Sequence, residues 1–228
     1  MGQTILTKDQ EAVLALIGRD KDIAPIFYLS GGTALAAFYL QHRYSDDLDF
    51  FTNAGDFPQI TVERIAQEIQ HAVGAEKIEY QRLYDRRIFF FKKSGGDDLK
   101  LEFTFYPFAH IHPPTKQGGM LIDSVDDLAA NKVMATVERH APKDVVDLYF
   151  LMTKKGYTLD TLLARAKKKF GLALNPSTLI GEILLGCRNL HEIQTMLLGS
   201  LKEQKKTLDC IQDYFKNMSS DFLHRQWG

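Results

Sequence analysis

The chain has 228 residues, 45% of them hydrophobic and 25% charged, with 28 Lys and Arg against 29 Asp and Glu for a formal net charge of −1. That is an ordinary globular composition, sized for one large domain or one domain with an appendage, and it excludes intrinsic disorder. The near-zero charge excludes binding nucleic acid by bulk charge alone, though not through a local basic groove.

No apolar run reaches the roughly 18 residues a membrane span needs, so no membrane partner is expected. The N-terminus lacks the pattern of a secretory signal, and Leu6 stands where a myristoylation start after Met1-Gly2-Gln3 wants Ser or Thr. Two cysteines, Cys187 and Cys210, are too few for a disulfide scaffold and fit a reducing cytoplasm. There is no repeat and no low-complexity segment.

In chain order, residues 8–18 read as a helix. Ile26-Phe27-Tyr28-Leu29 is a short buried strand running into Ser30-Gly31-Gly32, and a helix follows over 33–41. Residues 48–52 form a second strand, 60–73 a helix, and 78–93 one or two strands. Ser94-Gly95-Gly96-Asp97 is a hairpin turn. The strand after it alternates: Leu99, Leu101, Phe103 and Phe105 on one face, Lys100, Glu102, Thr104 and Tyr106 on the other. Past Pro113-Pro114 the pattern becomes helical, and Ser124-x-x-Asp127 reads as a capping box. This places a boundary near 115–123, between an α/β core (1–120) and a helical C-terminal region (121–228).

Two segments carry chemistry. A strand that ends at Gly31-Gly32 and turns straight into a helix presents unpaired backbone N–H groups at the positive end of the helix dipole, where a phosphate could approach. Alone this is what any tight strand-to-helix turn prefers. Asp47 and Asp49, however, project to one face of the next strand and repel unless a cation lies between them, and oxygen ligands suit Mg²⁺ or Mn²⁺. Glu102 sits on the polar face of its own strand; as a neighbour in the same sheet it would bring a third carboxylate. Singly, these acids would be a solvated loop and a solvent-facing strand position.

At these residues the sequence resembles the AbiEii/AbiGii toxin family of nucleotidyltransferases, within the polymerase-β-like superfamily. The matching stretches are Gly31-Gly32-Thr33-Ala34-Leu35, the link with Arg43 and Ser45, Asp47-Leu48-Asp49-Phe50-Phe51, and Leu101-Glu102-Phe103 running into Tyr106-Pro107-Phe108. Asp127 to Ala135 around Lys132 resembles the family's lysine motif, and Lys143-Asp144-Val145-Val146-Asp147-Leu148-Tyr149 its Lys-Asp-x-x-Asp-Leu motif. The likeness covers about residues 25–152. Glu102 replaces the family's usual Asp.

The resemblance implies an α+β fold, a small mixed sheet flanked by helices and followed by a helical part. It implies Asp47, Asp49 and Glu102 as metal ligands. Gly31, Gly32, Thr33, Arg43, Ser45, Lys132, Lys143, Asp144 and Asp147 would form the nucleotide site, with Lys132 catalytic beside the carboxylates. The implied reaction moves a nucleoside monophosphate from an NTP to an acceptor hydroxyl. The implied role is the toxin of a toxin–antitoxin or phage-defence pair, with tRNA or another RNA as acceptor and an antitoxin encoded nearby. Asp144 also reads as a plain N-cap with Asp147 at N3.

His110-x-His112 beside two prolines reads as a loop rather than a metal site, and the cysteines as buried thiols. Lysines at 154–155, 167–169, 202 and 205–206 read as a solvated face or as a basic flank for RNA. Transfer to a small molecule, and a degenerate nucleotide-binding module, remain open as other readings.

Overall fold

The computed structural model describes residues 5–55 and 57–227, so the Met1-Gly2-Gln3 start lies outside the described residues. The chain divides into two compact units. One holds Met1–Gln41 and Ser45–Val125, the other His42–Tyr44 and Asp126–Gly228.

The first unit opens with α1 (Lys8–Ile17), started by a capping box in which Thr7 and Gln10 exchange backbone and side-chain hydrogen bonds. Val13, Leu14 and Ile17 form its buried face. The strand β1 (Tyr28–Ser30) leads without a linker into α2 (Gly31–Leu35), which continues as a π-helical turn, Ala36–Leu40. Then come β2 (Asp47–Thr52), α3 (Gln59–Val73), β3 (Lys77–Leu83), β4 (Arg86–Lys92), β5 (Leu99–Phe105), β6 (Thr115–Gln117) and β7 (Met120–Ile122).

All seven strands form one mixed sheet in the order β3-β4-β5-β2-β1-β7-β6. The pairs β2/β5 and β1/β7 are parallel, the others antiparallel. Together with the helical second unit this is the expected α+β architecture. Phe27, Phe50, Phe89 and Phe103 bury one face, with rings 4.9 Å apart for Phe27 and Phe103 and 5.5 Å for Phe50 and Phe103.

The hairpin β6–β7 occupies a stretch read from sequence as a boundary. Its strands are too short to show alternation, and the Gly118-Gly119 turn between them is the only local signal. On β5 Leu99, Leu101 and Phe103 of the expected core face are buried and Phe105 is half-buried, while Glu102 and Thr104 on the other face are buried too, rather than facing solvent.

The second unit is helical: α4 (Val125–Arg139), α5 (Pro142–Lys155), α6 (Leu159–Phe170), α7 (Pro176–Cys187), a 3₁₀ turn Leu190–Met196 and α8 (Leu201–Trp227). Proline sits at the start of α5 and α7, where its missing N–H costs nothing, and Gly156 and Gly171 end α5 and α6 in the left-handed conformation. Leu128, Val145, Leu148, Leu162, Ile183, Ile211 and Phe215 are buried. Residues 42–44 join this unit through an antiparallel bridge of Arg43 to Leu197 and the Tyr44 N–H donating to the Met196 carbonyl at 2.7 Å.

Three sequence expectations change here. The N-cap of α5 is Ala141, so Asp144 lies inside the first turn instead of capping it. Lys169 is buried and paired with Asp127 at 2.9 Å, whereas Lys167 and Lys168 stay exposed. Cys187 is buried as expected, its thiol pushed up to about 11 by burial, but Cys210 is exposed. Among the described residues no helix is long and apolar enough to cross a membrane.

Candidate active site

In the first unit the strand register brings the three carboxylates to one face. Asp49 stands opposite Ser30 of β1 on one side and opposite Glu102 of β5 on the other, while Asp47 pairs with Lys100. Neighbouring strands lie about 4.8 Å apart and alternate residues along a strand about 6.6 Å, so Asp47, Asp49 and Glu102 form a compact triangle. Asp47 and Asp49 are half-buried while Leu48 and Phe50 between and after them are fully in the core, which fixes the acids to the opposite face.

Gly31 is required by this arrangement. Its φ of 69° is in the left-handed region, and a Cβ built there would collide with the Asp49 carboxylate. The Thr33 hydroxyl donates to the Asp47 carbonyl, which ties the start of α2 to the start of β2. Gly31, Gly32 and Thr33 therefore meet the carboxylate strand at the very turn where the helix begins. The Thr33 side chain is buried in that contact, so only its backbone N–H faces the role expected of it. Ser45 is half-buried, and its carbonyl accepts from the Gln10 amide at 2.7 Å.

The partners of the carboxylates were not anticipated. Arg86 grips Glu102 with a fork: Nε to Oε1 and Nη2 to Oε2, both at 2.6 Å. Thr104 donates to Oε1 at 2.7 Å, and the Lys100 ammonium reaches Asp47 at 3.1 Å. Lys100 and Thr104 were legible, since they share the polar face of β5 with Glu102. Arg86 was not, because the hairpin turn at 94–97 pairs β4 with β5 without fixing which residue of 78–93 stands beside Glu102.

A divalent cation fits the donor set. Asp47 and Asp49 offer half-exposed oxygens of the kind hard cations take. Of the four lone-pair directions on Glu102, the Arg86 fork and Thr104 occupy three, leaving one on Oε2.

The second unit gathers Lys132, Arg139, Asp144 and Asp147 with His42 and Arg43. The Lys132 ammonium donates to Asp144 at 2.8 Å and lies 2.6 Å from Asp147. Asp147 also accepts from Arg43 Nε at 2.7 Å and Nη2 at 2.9 Å, and pairs with His42 Nε2 at 2.7 Å. Asp144 takes a second fork from Arg139. Three cations thus face two carboxylates, all but Arg139 essentially out of solvent.

Burial alone would push Asp147 up, but the charges of Arg43 and Lys132 overcome it and hold the carboxyl well below its usual range. Asp144 is likewise opposed by burial yet held low by Lys132 and Arg139. Burial would lower Lys132, and Asp147 and Asp144 keep it raised instead. For His42 burial wins over Asp147, so the imidazole is neutral near pH 7.

Arg43, expected at the nucleotide, is 1% exposed and serves as an interior strut to Asp147 and to the Tyr44 carbonyl. Lys143 is half-buried at the second position of α5. His110 packs its ring on Tyr28 at 4.6 Å, and His112 is exposed in the loop before β6.

A family model described as the nucleotidyl transferase AbiEii toxin of type IV toxin–antitoxin systems matches residues 15–222. The chain is a member of this family. An uncharacterised Aquifex aeolicus protein, aq_aa25, is 37% identical to this AbiEii chain over 150 residues, which span 63% of the chain and 66% of that relative. JHP933 of Helicobacter pylori has the same fold, with TM-score 0.58 at 19% identity over 96% of this chain and 95% of its own. A second H. pylori structure, solved as a candidate nucleotidyltransferase, gives TM-score 0.58 at 17% identity over 94% and 95%. The AbiEii match extends beyond the motifs read from sequence, into α7 and α8.

Proposed function

We propose that this AbiEii-family chain transfers a nucleoside monophosphate from an NTP to a hydroxyl of an RNA acceptor such as tRNA, as the intracellular toxin of a toxin–antitoxin pair. The observation that carries the reading is the register Ser30–Asp49–Glu102, which sets two of the three acids side by side against the Gly31 turn.

In this reading the backbone N–H groups of Gly31, Gly32 and Thr33 meet the triphosphate at the helix start, where the absent side chains let it come close. Asp47 and Asp49 would hold Mg²⁺ or Mn²⁺, with Glu102 adding its one open lone pair. When bound, the cation supplies charge neutralisation and lowers the pKa of the attacking hydroxyl. Glu102, kept in one orientation by Arg86 and Thr104, faces that hydroxyl. Two of the three N–H donors of Lys132 go to Asp144 and Asp147, which fixes its ammonium within the second unit. Arg43 and His42 act by fixing Asp147, not by touching the nucleotide. The α-phosphorus–oxygen bond to the pyrophosphate breaks as the acceptor oxygen bonds to phosphorus, and the hydroxyl proton is released to solvent.

The test is to incubate the protein with each α-labelled NTP, Mg²⁺ and total tRNA. Label in the RNA, abolished by EDTA, supports the reading. Label found only in added small molecules would replace the acceptor. Nucleotide binding with no transfer from any NTP would make the chain a binding module. A second expected result is that co-expression of a neighbouring antitoxin gene relieves growth arrest caused by this chain.

A further inference from the structure

Lys100 stands on the acid face, beside a carboxylate that the proposed chemistry uses. It pairs across the sheet with Asp47, and its ammonium reaches Asp47 Oδ2 at 3.1 Å. Both side chains are partly open, 28% for Lys100 and 33% for Asp47. An ion pair as open as this contributes little to the fold. Its charge matters more for what binds at Asp47.

The other cations on this face of β4 and β5 are engaged elsewhere. Strand alternation places Arg86 and Lys92 on the side of Glu102, but Arg86 grips Glu102 in a fork and Lys92 meets Asp98 at 2.6 Å. Of the three, Lys100 alone holds one of the half-exposed acids, Asp47, and it does so through a single contact. An ammonium on a flexible four-carbon stem can leave such a contact, whereas a planar fork is fixed.

Asp47 is also tied from its other side. The Thr33 hydroxyl donates to the Asp47 carbonyl, so Lys100 and the start of α2 flank the same residue. Neighbouring strands lie about 4.8 Å apart, so a triphosphate received at Gly31–Thr33 lies about one strand beyond Asp47 as seen from Lys100. There its negative charge faces three carboxylates.

We propose that Lys100 is a further triphosphate-contacting residue, whose ammonium exchanges between Asp47 and the phosphate oxygens. The inference rests on the NTP reading above. A divalent cation on Asp47 and the Lys100 ammonium repel each other, so each weakens the other's hold on that carboxylate. Bound triphosphate then offers the ammonium several anionic oxygens in place of the one it leaves. Removing the Lys100 charge therefore has opposite effects: the acids hold the cation more tightly and the nucleotide is held less tightly. A lysine that serves only the fold produces no such opposition.

The experiment uses the full chain and measures two equilibria. Mn²⁺ binding without nucleotide is read by electron paramagnetic resonance. Binding of the α,β-methylene analogues of the four NTPs at saturating Mg²⁺ is read by calorimetry, and thermal melting is followed in parallel. In Lys100→Met, which keeps an apolar stem and removes the charge, Mn²⁺ affinity should rise roughly 3- to 30-fold. Affinity for the analogue that wild type binds should fall roughly 10- to 100-fold, the range of one hydrogen bond to a charged group. Lys100→Arg, which keeps the charge, should recover most of both, and melting should move little in either variant. If wild type binds both ligands and either affinity is unchanged in Lys100→Met, the proposal is overturned and the NTP reading stands. A fall in both affinities with earlier melting would make Lys100 a residue of the fold and overturn it too. A wild-type chain that binds no analogue and transfers no label overturns the NTP reading as well.

Discussion

Both oxygens of Glu102 are engaged, by the Arg86 fork and the Thr104 hydroxyl, and this decides how the third carboxylate can act. A carboxylate so held cannot swing; it offers one fixed direction. Arg86→Ala should therefore cost roughly 10- to 100-fold in transfer, the usual effect of removing a partner that orients a ligand. It should also cost about 1–3 kcal/mol in stability, because Glu102 is 4% exposed and loses the fork that satisfies it. Arg86→Lys should recover only part of the activity, since an ammonium cannot form the fork. Steady-state transfer beside thermal melting separates the two effects. Asp147 is the opposite case. It is fully buried among Arg43, His42 and Lys132, so Asp147→Asn should lower unfolding free energy by about 3–5 kcal/mol, measurable by urea titration.

The same cluster sets a pH dependence. His42 is lowered from 6.5 by burial, so between that lowered value and 6.5 the unfolded chain binds a proton the folded chain refuses. Stability should fall as pH drops through this window and then level off. Asp144 and Asp147 are held below 3.8, so their contribution is present above that value and lost as pH falls further, through their folded values. The urea midpoint should thus decline in two stages on acidification. His42→Gln should remove the upper stage and leave the lower.

At the scale of elements, the β1–α2 turn and β2 act as one device. Gly31→Ala would place a methyl against the Asp49 carboxylate at a positive φ, and activity should fall far more than the few kcal/mol of backbone strain would suggest. Comparing transfer with melting for this variant checks the claim. These elements were legible because their signals are local. The Gly pair bounded an apolar run, and the Asp-Leu-Asp alternation showed which face the acids take. The β4–β5 pairing follows from the hairpin turn at 94–97, but the register that sets Arg86 beside Glu102 was not legible, because the sequence did not show where 78–93 divides into β3 and β4. Lys169 misled for a similar reason. Three consecutive lysines look like a solvated face, but the third falls on the buried side of α6 and meets Asp127 from another helix. Arg43 followed the family pattern in sequence while its side chain turned inward.

For the whole molecule, the net charge of −1 conceals opposed regions. Acids concentrate at the carboxylate strands, whereas Lys154, Lys155, Lys167, Lys168, Lys202, Lys205 and Lys206 are exposed in the helical unit. Changing Lys202, Lys205 and Lys206 together to Gln should weaken RNA association at low salt, with the difference vanishing as salt rises. The central claim is that the Asp49 face is where the phosphoryl group moves. Transfer of label from an α-labelled NTP to RNA by wild type and by Asp49→Asn, under single turnover with equal NTP occupancy, tests it most directly. A fall of about 10²- to 10³-fold with melting unchanged is the result expected when a charge-stabilising group is removed. Transfer by Asp49→Asn at the wild-type rate would contradict the account.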